Sequence, residues 1–392
     1  MTTTGDNLRF VAKTMQGLAP VVSRELLKIG AREIEEHHRA VSFVGDLGTL
    51  YKANYMLRTA LRILFPIAEL EVNNEKELYD AIRSIDWSQW MTADDTLAVD
   101  CTLNSDFFNH SQYVALKTKD AIVDQFRDAM GRRPSVDLDE PTLRINVHIS
   151  DTKMTVSLDS SGSSLHKRGY RVDTGKAPMN EVLAAGLIQL SGWERHQRLI
   201  DPMCGSGTIL IEAAMAAANI PAGFFRPFFG FTKWKNFDEE LWSKITEGAI
   251  SRISEEPVDL TGIEISPNVI RKAKANILEA RVDDMIKLFH ADFRSWTPPE
   301  GRGVLIMNPP YGERMDKDDL EELYGSIGTT LKKKYSGYDA WLVTSSMEGI
   351  KHIGLRPSRK ITVFNGPLEC KFLKFEMYSG TKKIHKLKGA ES

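Results

Sequence analysis

The chain has 392 residues, 42% hydrophobic and 27% charged, with a formal net charge of −2, which predicts two or three domains able to bury sizeable cores. No apolar run is long enough to span a bilayer, and Met1 to Asp6 is polar with no signal core behind it, so membrane and secreted classes are set aside. Residues 1–160 hold 18 of the 51 basic and 24 of the 53 acidic residues, a net of −6 against +4 for the remainder, so any phosphate contact must come from local clusters.

In chain order, residues 1–70 read as mixed α and β. Leu8–Thr14 is strand-like, Leu18–Ile29 helical up to Gly30, Ala40–Val44 a strand, Leu47–Leu61 a helix and Ile63–Val72 a strand. Residues 71–160 repeat the flavour: a helix at Glu75–Ile85, a strand at Thr96–Cys101 and a helix at Gln112–Met130 follow. Strands at Thr142–Ile149 and Lys153–Leu158 then flank a hairpin break. Ser160 to Ser164 reads as a small flexible run and a domain boundary. Residues 161–176 form a basic linker, in which Lys167, Arg168 and Arg171 are candidate phosphate contacts. From residue 177 to 392, helices alternate with short apolar strands, which predicts a doubly wound, mostly parallel sheet with an antiparallel final strand pair. A ligand then binds at the carboxyl ends of its strands. Cys101, Cys204 and Cys370 are scattered and lack metal-ligand spacing, which reads as reduced thiols in the cytoplasm. No metal site is expected.

Four polar elements follow four of these strands. Leu199–Ile200 enters Asp201-Pro202-Met203-Cys204-Gly205-Ser206-Gly207-Thr208, where glycines between a strand and a helix suit close approach of a nucleotide-type ligand. There is no P-loop Lys, and the pattern stops short of G-x-G-x-x-G. Next, Glu264-Ile265 places a carboxylate where ribose hydroxyls would be held. Asp292-Phe293 offers an acceptor for an adenine amine and a ring to cover it. Last, Asn308-Pro309-Pro310-Tyr311 ends the apolar run Val304–Met307. Its prolines stiffen the turn and leave carbonyls free. The Asn308 oxygen and the Pro309 carbonyl form an acceptor pair for one amine, and Tyr311 is a stacking face.

Singly these elements are weak: a tight turn, an exposed Glu or a capping Asp explains each. Together they resemble the motif series of class I S-adenosylmethionine-dependent methyltransferases, a Rossmann-like α/β fold. That resemblance assigns the cofactor S-adenosylmethionine to Asp201, Cys204, Gly205, Ser206, Gly207, Thr208, Glu264, Ile265, Asp292 and Phe293, and catalysis to Asn308 through Tyr311. An Asn-Pro-Pro-Tyr motif is shared by methyltransferases of adenine N6, guanine N2 and protein glutamine. It implies direct displacement by a held, pyramidalised amine.

Two further segments narrow the resemblance. Arg226-Pro227-Phe228-Phe229-Gly230-Phe231 with Trp234 and Trp242 reads by itself as a local aromatic core. It is also similar to a segment of bacterial guanine-N2 methyltransferases of large-subunit (23S) ribosomal RNA. That family carries Lys-Arg-Gly-Tyr-Arg and Ala-Pro-Met-Asn-Glu, as do Lys167–Arg171 and Ala177–Glu181 here, adding Asn180 to the cofactor set. The resemblance implies a ferredoxin-like segment (1–70) and a THUMP RNA-binding domain (71–160) before the methyltransferase domain, and RNA as partner, rRNA before tRNA. Some members fuse a second methyltransferase domain; with Ser392 as the last residue, one reaction is expected. The alternatives are a THUMP-type tRNA guanine-N2 methyltransferase, a DNA adenine-N6 methylase, a protein glutamine methyltransferase and a non-catalytic ribosome-assembly protein.

Overall fold

Alternate burial of Phe10, Ala12 and Thr14 makes Leu8–Thr14 (β1) a strand with one face in a core. A computed structural model describes residues 7–172, 179–310 and 316–378. These lie in two compact units. One is drawn from the stretches Met1–Thr14, Val22–Lys167 and Arg226–Ala249, the other from Met15–Val21, Arg168–Phe225 and Ile250–Ser392.

After β1 come α1 (Ala19–Lys28), β2 (Arg32–His37), β3 (Ala40–Gly45), α2 (Leu47–Met56), β4 (Ala60–Glu71), α3 (Glu75–Ser84), β5 (Thr96–Asn104), α4 (Ser111–Met130), β6 (Ser135–Val136), β7 (Leu143–Ser150) and β8 (Lys153–Asp159). The strands form one eight-stranded sheet in the order β2-β3-β1-β4-β8-β7-β5-β6. The long strand β4 makes it continuous. It pairs with β1 (Val11↔Leu64) near its start and with β8 from Leu64↔Asp159 to Glu71↔Lys153. The expected boundary near residue 70 falls at the end of β4, which carries β1 on one side and β8 on the other. Asp46 begins α2 through a capping box with Thr49, Asn74 caps α3, and left-handed Gly131 ends α4.

The Ser160–Ser164 run, expected to be flexible, is built into this unit. Ser160 and Ser161 are fully buried. The Ser160 hydroxyl donates to Ile63 O, and that of Ser161 to Asn54 Oδ1. Arg226, itself 8% exposed, donates to the carbonyls of Ser161, Ser163, Ser164 and Lys167 and to Ser163 Oγ. A Cβ on Gly230 would sit 2.7 Å from Asp159 O and 2.8 Å from Gly162 N, so only glycine permits this backbone approach. The small residues serve close packing and hydrogen bonding, and composition by itself does not separate that from flexibility.

The aromatic segment closes the same unit as a local core. Tyr51 stacks on Phe231 at 4.4 Å, and Trp242 meets Phe231, Phe229 and Tyr55 edge-on at 5.1, 5.6 and 5.3 Å.

The second unit contributes α5 (Glu181–Ser191), β9 (Leu199–Asp201) and α6 (Thr208–Ala217). After α7 (Glu239–Ile250), which belongs to the first unit up to Ala249, the second unit resumes with β10 (Leu260–Glu264), α8 (Pro267–Glu279), β11 (Ile286–His290), β12 (Gly303–Met307), α9 (Lys317–Lys334), β13 (Tyr338–Thr344), α10 (Met347–His352), β14 (Arg359–Asn365) and β15 (Leu368–Glu376). The sheet order is β11-β10-β9-β12-β13-β15-β14, parallel except for β15, which runs antiparallel to both neighbours. Val304 and Ile306 of β12 enter one core with Leu183, Ile209 and Trp341, while Leu305 and Met307 enter another with Tyr324 and Leu342. Burial on both faces is what its unbroken apolar run encodes. Strand order reverses between β9 and β12, opening a crevice at their carboxyl ends. Asp201 and Asn308 stand there. Among the described residues no helix is long and apolar enough to cross a membrane.

Candidate active site

The loop after β9 is shaped by two left-handed glycines, Gly205 (φ +53°) and Gly207 (φ +84°), the second capping α6. A Cβ on Gly205 would meet nothing within 4 Å, so its outer face is open. Hydrogen bonds tie three strand ends together. Cys204 N donates to Ile263 O (3.0 Å), Gly205 N to Glu264 Oε2 (3.1 Å), Ser266 N to Glu264 Oε1 (2.8 Å) and Ala291 N to Glu264 O (3.1 Å). One donor on each Glu264 oxygen leaves lone pairs for further hydroxyls. Ile265 beside it is 60% exposed, an apolar surface for a flat ring.

Asp201 is 2% exposed, and its carboxylate accepts from Met203 N at 3.2 Å. Burial, with Glu264 nearby, pushes its pKa up to about 8. Burial likewise holds the Cys204 thiol well above its usual range, so it is inert as a nucleophile near neutral pH. Asn180 caps α5 by accepting from Val182 N.

Four expected roles change. Asp292 forms the turn cap that its isolated sequence suggested: Arg294 binds both its oxygens, Nη2 to Oδ2 at 2.6 Å, and its backbone N–H donates at 2.8 Å. An adenine amine would compete with that guanidinium, whose bond, more than any other cause, holds the carboxyl below its ordinary range. Phe293 is 3% exposed and packs 5.9 Å from Tyr335 in the core, so it presents no open ring face. Arg168 is no phosphate contact. It is 2% exposed, and its guanidinium bridges both oxygens of fully buried Glu212 at 3.2 and 3.3 Å, beside the Tyr170 hydroxyl. Arg171 also turns inward: it donates to Glu181 (2.7 Å), Ser206 Oγ (3.3 Å), Thr208 Oγ1 (3.0 Å) and Met179 O (3.2 Å). Of the three, Lys167 is exposed. Charge pattern alone could not foresee this, because the partner carboxylates arrive from α5 and α6.

At the end of β12, Pro309 is buried and Pro310 exposed. The Asn308 side-chain oxygen is buried with no hydrogen-bond partner among the described residues. An orphaned acceptor of this kind costs about 1–3 kcal/mol of stability, and a donor brought by a ligand would satisfy it. Tyr311, Ala177, Pro178 and the basic tail Lys382–Lys388 lie outside the described residues. Elsewhere, Glu321, Glu348 and His352 gather with ligand atoms within 4.8 Å, a cluster that cysteine and histidine spacing did not suggest. His352 Nε2 lies 3.6 and 3.7 Å from the two carboxylates, as in a surface ion-pair group.

Comparison with known proteins adds the lineage. Residues 9–64 match the RlmL ferredoxin-like domain, 72–159 the THUMP domain and 168–374 the RMKL-like methyltransferase domain. The chain is 38% identical, over 94% of its length and 97% of the relative's, to a Synechocystis protein provisionally named an RNA methyltransferase. It is 39% identical to the ribosomal RNA large subunit methyltransferase K/L of Syntrophotalea carbinolica over 94% of this chain and 54% of that one. It thus spans about half the length of the K/L relatives it matches. A crystal structure provisionally named a methyltransferase, complexed with SAH, superposes with a TM-score of 0.86 at 27% identity, covering 96% of this chain and 100% of the other. The open glycine loop and the spare lone pairs of Glu264 fit the S-adenosylmethionine that this family uses. The strand order, the glycine loop and these matches together place the chain in the RMKL-like methyltransferase family, behind a ferredoxin-like and a THUMP domain.

Proposed function

We propose that the chain methylates the exocyclic N2 amine of a guanine in large-subunit ribosomal RNA, acting in the cytoplasm. The observation that carries the amine chemistry is the buried Oδ1 of Asn308 at the switch point of the sheet, which has no hydrogen-bond partner among the described residues; guanine and ribosomal RNA rest on the family. S-adenosylmethionine supplies the methyl group on a sulfonium. Glu264 would hold the ribose hydroxyls with its spare lone pairs, Ile265 would cover the adenine, and the loop Cys204–Thr208 would follow the remainder. The Asn308 oxygen and the Pro309 carbonyl accept hydrogens from the guanine amine. Held that way, the nitrogen would pyramidalise and its lone pair would turn out of the ring system toward the methyl donor; as the N–C bond formed, the C–S bond would break with S-adenosylhomocysteine as leaving group, and the amine would give up one proton to water. Positioning and placed dipoles do the work, and no covalent intermediate with the protein is required. A base in a structured RNA must first leave its stack, and Tyr311 is the assigned stacking partner. The THUMP domain and exposed Lys167 supply RNA contact, read through shape more than net charge.

The test is methyl transfer from labelled cofactor to RNA of a strain lacking this gene, followed by nucleoside mapping. Labelled N2-methylguanosine in 23S rRNA is expected. Label in tRNA moves the substrate, N6-methyladenosine overturns the base, and RNA binding without label makes the protein a non-catalytic binder.

A further inference from the structure

Arg171 stands where a surface cation was expected, yet its side chain is 14% exposed and all four of its described hydrogen bonds point inward. Two of them reach the glycine loop, at the hydroxyls of Ser206 and Thr208. Thr208 is the first residue of α6, where the helix dipole is positive, so a cation there is disfavoured unless compensated. Glu181 compensates it at 2.7 Å and is itself 5% exposed. A second grip acts on the same loop from the opposite element. Asn276 of α8, 1% exposed, donates to Ser206 O at 3.2 Å and accepts from Val172 N at 3.1 Å. Ser206 thus lies between Arg171 on its side chain and Asn276 on its carbonyl, flanked by two left-handed glycines that have no side chains to fix their own path.

We infer that Arg171 and Asn276 are positioning residues for the methyl donor: they clamp Ser206 and so fix the glycine loop in its cofactor-binding form. The inference rests on the proposed reading of that loop and reassigns Arg171 from RNA contact to cofactor geometry. A guanidinium is suited to it because its planar fork spans Glu181, Ser206 and Thr208 at once, which a lysine ammonium cannot.

The experiment is calorimetric titration of the full chain with S-adenosylhomocysteine, alongside the melting temperature and the methyl-transfer KM for S-adenosylmethionine. Arg171→Ala is expected to weaken S-adenosylhomocysteine binding about tenfold or more, the scale of a lost charge-assisted contact, and to raise that KM more than it lowers kcat. Arg171→Lys keeps the Glu181 pair and is expected to recover part of the affinity. Where Arg171→Ala fails to fold, Arg171→Lys and Thr208→Val decide, since both leave Glu181 paired. Wild-type affinity in the folded variants, or a fall in kcat at unchanged affinity, overturns the inference. Failure of the wild-type chain to bind S-adenosylhomocysteine overturns the cofactor reading instead.

Discussion

Asp201 keeps a proton that a carboxyl in water would lose. Its folded pKa of about 8 lies above the ordinary value of 3.8, because burial disfavours the charged form. Between those values the unfolded chain binds fewer protons than the folded one, so stability is greatest at the acid end and falls as pH rises through about 8. Without cofactor, Asp201→Asn is expected to flatten that slope and to melt higher than wild type at pH 8.5, by about 3 °C or more. Equal slopes in scans at pH 5.5 and 8.5 would refute this. Asn308 shows the same exchange of stability for chemistry. Asn308→Ala removes a buried acceptor that has no partner among the described residues, so the melting temperature should hold or rise, while methyl transfer falls about 100-fold or more with RNA and cofactor binding retained. A variant that transfers methyl normally would end the catalytic assignment.

At the scale of elements, strands with a buried face were legible and an exposed one was not. Leu8–Thr14 and Gly303–Met307 announce themselves by apolar pattern, whereas β2 (Arg32–His37) is an exposed edge strand of charged residues with a bulge near Glu33. Its pairing comes only from β3 beside it. The Ser160–Ser164 turn was misread for a related reason: its order is imposed by Arg226, more than sixty residues away in sequence. Arg226→Met should therefore destabilise the protein by about 3 kcal/mol or more, since several buried carbonyls lose their donor together. Urea unfolding checks this, and a change below about 1 kcal/mol would show that the turn stands without the guanidinium.

At the scale of the whole molecule, the linear order of domains and the physical units differ. Residues 226–249 fall within the methyltransferase match, yet they pack as the aromatic core of the first unit, while residues 15–21 belong to the second. A fragment beginning at Arg168 keeps Phe229, Phe231 and Trp242 but loses Tyr51 and Tyr55 against which they stack. It should bind a hydrophobic dye or aggregate, where the full chain stays monodisperse; a well-behaved fragment in light scattering would contradict the shared core. The sequence by itself determined the strands that have a buried face, the order of the four polar motifs and the family, because each is local: a run of apolar residues, a glycine turn, a stiff Asn-Pro-Pro. Tertiary structure alone decided which charges face inward. Lys167, Arg168 and Arg171 read alike along the chain, and only the approach of Glu212 on α6 and Glu181 on α5 turns two of them inward and leaves the third in water. A charge enters a core only where folding brings it a partner.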